Sequence, residues 1–102
     1  MKTQVTFRHL KSQHPKLQEE AVQILEGFSK FSEEITSANV EFLNETNKTV
    51  VISVHLNGNT LIAKEASDDF GKSLRDASDK IVRQIQKLKT KNLSTRTKNI
   101  ED

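Results

Sequence analysis

The sequence predicts an α+β domain with the element order β-α-β-β-β-α, and three observations carry that prediction. Residues 49–56 alternate between apolar and polar side chains, Asn57-Gly58 follows directly, and two other stretches repeat apolar residues at helical spacing. At 102 residues the chain has the length of one small domain and the material for a single core. Its only aromatic residues are Phe7, Phe28, Phe31, Phe42 and Phe70, so Val, Ile and Leu must supply most of that core.

Residues 5–8, Val-Thr-Phe-Arg, read as a short first strand, because β-branched and aromatic side chains suit a pleated surface. His14-Pro15 marks a helix start, since proline fits the first helical position, where its missing N–H is not needed. Ala21, Ile24, Leu25 and Phe28 follow Leu17 at helical spacing, which extends this helix over residues 15–30 with Glu19, Glu20 and Glu26 on its other face. Residues 37–44 form a second strand with Val40 and Phe42 on one side, and Asn44-Glu45-Thr46-Asn47-Lys48 supplies a polar turn. In the third strand, residues 49–56, Val50, Ile52, Val54 and Leu56 alternate with Val51, Ser53 and His55. Asn-Gly favours the positive φ angles of a tight hairpin, so residues 60–65 return antiparallel as a fourth strand.

Ser67 is the expected cap of the last helix, with Asp68 and Asp69 in its first turn, opposite the positive end of the helix dipole. Phe70, Leu74, Ala77, Ile81, Ile85 and Leu88 then recur at steps of four and three, which places them within roughly 80° of arc. One narrow stripe therefore packs on the sheet, and the remaining surface faces water or a partner. The domain is expected to span residues 1–91, followed by a flexible C-terminal tail, 92–102, too polar to fold alone.

Several function classes are disfavoured. Cysteine is absent, so neither disulfides nor thiolate metal sites can form. The start, MKTQVTFRHL, lacks the apolar run of a signal peptide, and no segment approaches the roughly 18 apolar residues of a membrane span, so a soluble cytoplasmic protein is expected. His9, His14 and His55 stand at a strand exit, a helix cap and the polar phase of a strand, without the spacing of a metal or catalytic site. Gly27, Gly58 and Gly71 are isolated, so no glycine-rich phosphate loop exists. Neither an enzymatic activity nor a cofactor, metal or small-molecule substrate is expected.

Charge distribution is more informative. Residues 1–71 carry seven Lys/Arg against ten Asp/Glu, a net of −3, whereas residues 72–102 carry nine against four, a net of +5. Lys80, Arg83, Lys87, Lys89, Lys91, Arg96 and Lys98 follow one another with no acid between them. Asp76 and Asp79 stand four residues before Lys80 and Arg83, so intrahelical pairing is expected to neutralise part of this charge. No such partner lies within a helical turn of Lys87, Lys89 and Lys91. Lys80, Arg83, Lys87 and Lys91 share a flank about 80° wide beside the apolar stripe, a ridge able to follow a phosphate backbone. Nucleic acid is thus favoured over an acidic protein partner or a merely solvated face. A membrane surface fits poorly, because the apolar stripe is needed by the core. With no aromatic residue on the polar faces, backbone and shape recognition is expected rather than base readout.

Residues 67–91, SDDFGKSLRDASDKIVRQIQKLKTK, resemble the last helix of the bacterial ribosome hibernation promoting factor and ribosome-associated inhibitor family. The family's closing pattern, Asp/Asn-Lys-Leu/Ile-x-Arg-Gln-Leu/Ile-x-Lys, is matched by Asp79-Lys80-Ile81-Val82-Arg83-Gln84-Ile85-Gln86-Lys87. The Pro-led first helix, the Asn57-Gly58 hairpin and the element order match as well, over roughly residues 3–91. The resemblance implies a fold like a double-stranded-RNA-binding domain, a four-stranded sheet with both helices on one face. It also implies binding to the small ribosomal subunit and the whole ribosome, across the channel of messenger RNA and the tRNA sites. Translation would then stop by occlusion in starved or stationary cells, and the protein would be a monomer off the ribosome. The site residues it implies are Lys80, Arg83 and Lys87, with Gln84, Lys89, Lys91 and Arg8 beside them. A generic structured-RNA-binding domain and an adaptor docking an acidic protein are the alternatives.

The chain departs from the family in three places. Ile24 and Gly27 occupy positions where a basic ridge is common on the first helix, with Glu19, Glu20 and Glu26 around them. Gly71 stands where an aromatic residue is common, so looser packing is expected at the start of the last helix. The sequence ends at Asp102 without the second domain of long members, and so resembles the short form.

Overall fold

The computed structural model describes residues 2–8, 14–56 and 58–97 and, along the last helix, side chains as far as Leu88. Its elements are β1 (Lys2–Arg8), α1 (Pro15–Gly27), β2 (Ile35–Asn44), β3 (Lys48–Leu56), β4 (Asn59–Ser67) and α2 (Phe70–Thr97). The α+β order β-α-β-β-β-α is therefore as the sequence predicts. The four strands form one sheet in the order β1-β2-β3-β4, with β1 parallel to β2 and the other pairs antiparallel.

Alternation along each strand divides the sheet into two unlike faces. One register row on the helix side runs Val5, Val40, Ile52 and Ala63, whereas a row on the open side runs Gln4, Asn39, Ser53 and Ile62. α1 lies over β1 and β2, and α2 over β3 and β4. Between them they bury Ala21, Leu25, Leu74, Ala77, Ile81 and Ile85 completely against Val50, Ile52, Val54 and Phe42. Each fully buried Leu, Ile or Phe contributes about 1.5–3 kcal/mol by leaving water. An aromatic row crosses this layer, with Phe7 stacked on Phe42 at 5.0 Å and Phe70 edge-on to Phe42 at 5.5 Å.

Several ends move relative to the sequence reading. β1 begins at Lys2 rather than residue 5, because its parallel pairing continues back to Lys2 opposite Ser37. β2 begins at Ile35 rather than residue 37; Ile35 is buried opposite Leu56, and a register irregularity before Ser37 breaks the alternation that would have announced it. The first helix covers the expected stretch, but its last turn, Phe28–Lys30, tightens to a 3-10 turn in which Phe31 N–H donates to the Phe28 carbonyl at 2.9 Å.

The cap of α2 also moves. β4 stays paired with β3 as far as Ser67 opposite Lys48, so Ser67 is committed to the strand. Asp69 caps instead, its carboxylate accepting from Lys72 N–H at 3.1 Å, and Ser67 Oγ accepts from Asp69 N–H at 3.2 Å. Asp68 and Asp69 therefore precede the helix rather than filling its first turn. The corner after β4 is not loose: Phe70 closes it, 8% exposed, with the Lys48 ammonium 5.6 Å above its ring. Residues 92–97, read as the start of the tail, continue the backbone of α2, and residues 98–102 lie outside the described residues. Among the described residues no helix is long and apolar enough to cross a membrane.

Candidate nucleic-acid interface

The basic flank is positioned by the apolar stripe beneath it. Phe70, Leu74, Ala77, Ile81 and Ile85 are all buried, with Leu88 packed at the margin, so the rotation of α2 on the sheet is set and its polar flanks point outward. One of these flanks lies beside β4, the outer strand of the sheet. There Gln84 donates its side-chain amide to the Ile62 carbonyl at 3.1 Å, and the Lys80 ammonium forms an ion pair with Glu65.

These contacts sort the residues expected to bind RNA. Lys80 is paired, but with Glu65 and not with Asp76. Asp76 instead takes Lys72, one turn earlier, at 3.3 Å, while α2 crosses close enough to β4 for Lys80 to reach the strand. Arg8 is paired with Glu41 on the neighbouring strand. Gln84 is spent on the strand edge. Arg83 and Lys87 are exposed and form no hydrogen bond or ion pair among the described residues, so the pairing of Arg83 with Asp79 is not found. The side chains of Lys89 and Lys91 lie outside the described residues, although the α2 backbone carries both.

Glu65 is the residue that sequence reasoning missed. Spacing along α2 reaches only acids within one helical turn, yet the hairpin register puts Glu65 in the phase of Leu61 and Ala63, facing the helices. That phase was the available signal. The expected departures on α1 take shape as well: Ile24 packs partly against the core, Gly27 leaves open space, and Glu19 and Glu26 are exposed. α1 therefore presents no second positive ridge.

The histidines have local roles. His14 stacks on Phe7 at 5.8 Å and makes no side-chain cap, and His55 Nδ1 meets Thr60 Oγ1 at 3.0 Å on the open face. His9 lies outside the described residues. Among the described residues no group of three His, Asp or Glu could hold a metal ion.

Residues 3–93 match the family described as "Sigma 54 modulation protein / S30EA ribosomal protein". Among solved structures, a ribosomal subunit interface protein from Coxiella burnetii superposes with a TM-score of 0.79 at 27% identity, covering 88% of this chain and 99% of that one. The N-terminal domain of Protein Y from Thermus thermophilus superposes with a TM-score of 0.76 at 17% identity, covering 86% and 99%, a likeness of fold alone. No curated protein matches the chain by sequence. On the family match over nearly its whole length, the chain belongs to the sigma 54 modulation protein / S30EA ribosomal protein family, the ribosome hibernation factors that residues 67–91 resemble.

Proposed function

We propose that the protein is a ribosome hibernation factor that binds the small ribosomal subunit across the mRNA channel and tRNA sites and blocks translation under stress or in stationary phase. The observation that carries this reading is the unpaired pair Arg83 and Lys87, exposed on a flank that continues into the acid-free run of Lys89 and Lys91. Like charges gathered there repel one another, and a phosphate backbone removes that cost while releasing its condensed counterions. Family membership and the likeness to a ribosomal subunit interface protein support ribosomal RNA as that backbone. The mechanism is occlusion, without a covalent step, cofactor or metal. It operates in the cytoplasm, and the protein is a monomer off the ribosome.

Arg83 and Lys87 make the first phosphate contacts, with Lys89 and Lys91 extending them along α2. Lys80 and Arg8 contribute only on leaving Glu65 and Glu41, and Gln84 contributes by holding α2 to β4. A ridge making about four phosphate contacts would lose roughly 150-fold in affinity between 50 and 200 mM salt. The protein should therefore sediment with small subunits and whole ribosomes in low salt and leave them as salt rises. Charge reversal of Lys80, Arg83 and Lys87 together should abolish co-sedimentation without unfolding the domain. A wild-type protein that stays at the top of a low-salt gradient would overturn the reading; binding to other structured RNA or to an acidic protein would replace it.

A further inference from the structure

Among the described residues, the ion pair between Lys80 and Glu65 is the one that joins α2 to the sheet. Glu65 lies opposite Val50 in the register, at the helix-facing rim of β4, and its side chain is only 22% exposed against 55% for Lys80. The core does not require a carboxylate there, and a pair this accessible to water adds little to stability. Its position is more telling. Lys80 opens the acid-free run of the ridge, and its ammonium is already occupied by an anion, whereas Arg83 and Lys87 farther along are bare.

We propose that Glu65 is an internal competitor for the RNA, holding Lys80 in the free protein until a phosphate displaces it. This rests on the RNA-binding reading above. A carboxylate offers the lysine the same negative charge and the same oxygen acceptors as a phosphate. Binding therefore exchanges one Lys80–oxygen contact for another instead of adding one. It also leaves the released Glu65 carboxylate beside a polyanion, where the two repel. Both effects lower affinity below what the number of basic residues implies. An RNA strand engages Arg83 and Lys87 first, and recruits Lys80 only where a phosphate sits close enough to replace Glu65.

The test is titration of purified small ribosomal subunits with wild type, Glu65→Gln, Lys80→Gln and the double variant across a salt series. Glu65→Gln keeps the shape and removes the charge; it is expected to tighten low-salt binding about two- to five-fold, the scale of an exposed ion pair. Its salt dependence should steepen by up to about 0.9 in the log–log slope, as one more phosphate contact requires. Introduced into Lys80→Gln, the same change should give a smaller gain. Glu65→Ala provides a second route to the same result should the amide disturb β4. Equal or weaker binding by both Glu65 variants, with melting temperatures like wild type, overturns the proposal. A gain that is identical with and without Lys80 overturns it too, since Glu65 would then act by repulsion alone. Wild-type protein that fails to bind small subunits would instead strike the reading on which the proposal rests.

Discussion

Gln84 on α2 donates its side-chain amide to the Ile62 carbonyl of β4 at 3.1 Å, so the last helix is fastened to the outer edge of the sheet. An edge strand offers unpaired backbone groups to other chains, and a side chain placed over one of them blunts the edge. The Ile62 side chain itself belongs to the open face, where the residue is 57% exposed. Gln84→Ala is expected to cost about 0.5–1 kcal/mol in urea denaturation. Its effect on ribosome association should be small beside that of Arg83→Glu.

Ser73 is fully buried, donates from Oγ to the Lys48 carbonyl at 2.7 Å and lies within hydrogen-bond distance of Ser67 Oγ, at 2.7 Å. Through one hydroxyl it ties the start of α2 to the first residue of β3 and the last of β4. Removing it leaves a part-buried carbonyl without that donor, so Ser73→Ala should destabilise the domain by about 1–2 kcal/mol. A shifted urea midpoint at unchanged slope would locate the loss in the folded state.

Gly58 has φ of +78°, and a Cβ built on it would meet nothing within 4 Å. The cost of a side chain there is conformational and not steric. Gly58→Ala should lose about 1–2 kcal/mol by thermal or urea unfolding. Gly58→Asn should lose less, because asparagine tolerates that region.

Lys87 and Arg8 carry the same charge in different circumstances, one bare and the other paired with Glu41. Lys87→Gln is expected to reduce the salt slope of ribosome binding by about 0.9, the value of one phosphate contact. Arg8→Gln should change it less. Pelleting with ribosomes over a salt series compares the two directly.

Features with a local cause were legible in the sequence. The alternation of Val50, Ile52, Val54 and Leu56 is a property of one strand, and the tight turn at Gly58 brings Asn59 opposite Leu56 and sets the register that follows. The stripe from Phe70 to Ile85 is likewise a property of one helix. Illegible features depend on residues far apart in the chain. β1 runs back to Lys2 because Ser37 is there to pair with it, and the cap passes from Ser67 to Asp69 because β3 holds Ser67. The candidate site divides in the same way. Its sign and its flank on α2 follow from spacing, but Lys80 finds Glu65 and Arg8 finds Glu41 only after the strands align. No spacing within α2 announces either acid.

The parallel pairing of β1 with β2 bears on the order in which the molecule assembles. β2, β3 and β4 join through short turns, whereas β1 must wait for α1 to carry the chain across before a parallel partner exists. Closing that longer connection costs more chain entropy and places β1 late in folding. Phe7→Ala is accordingly expected to speed unfolding while leaving the folding rate nearly unchanged. During synthesis the strand that emerges before the others is the one that finds its neighbour last.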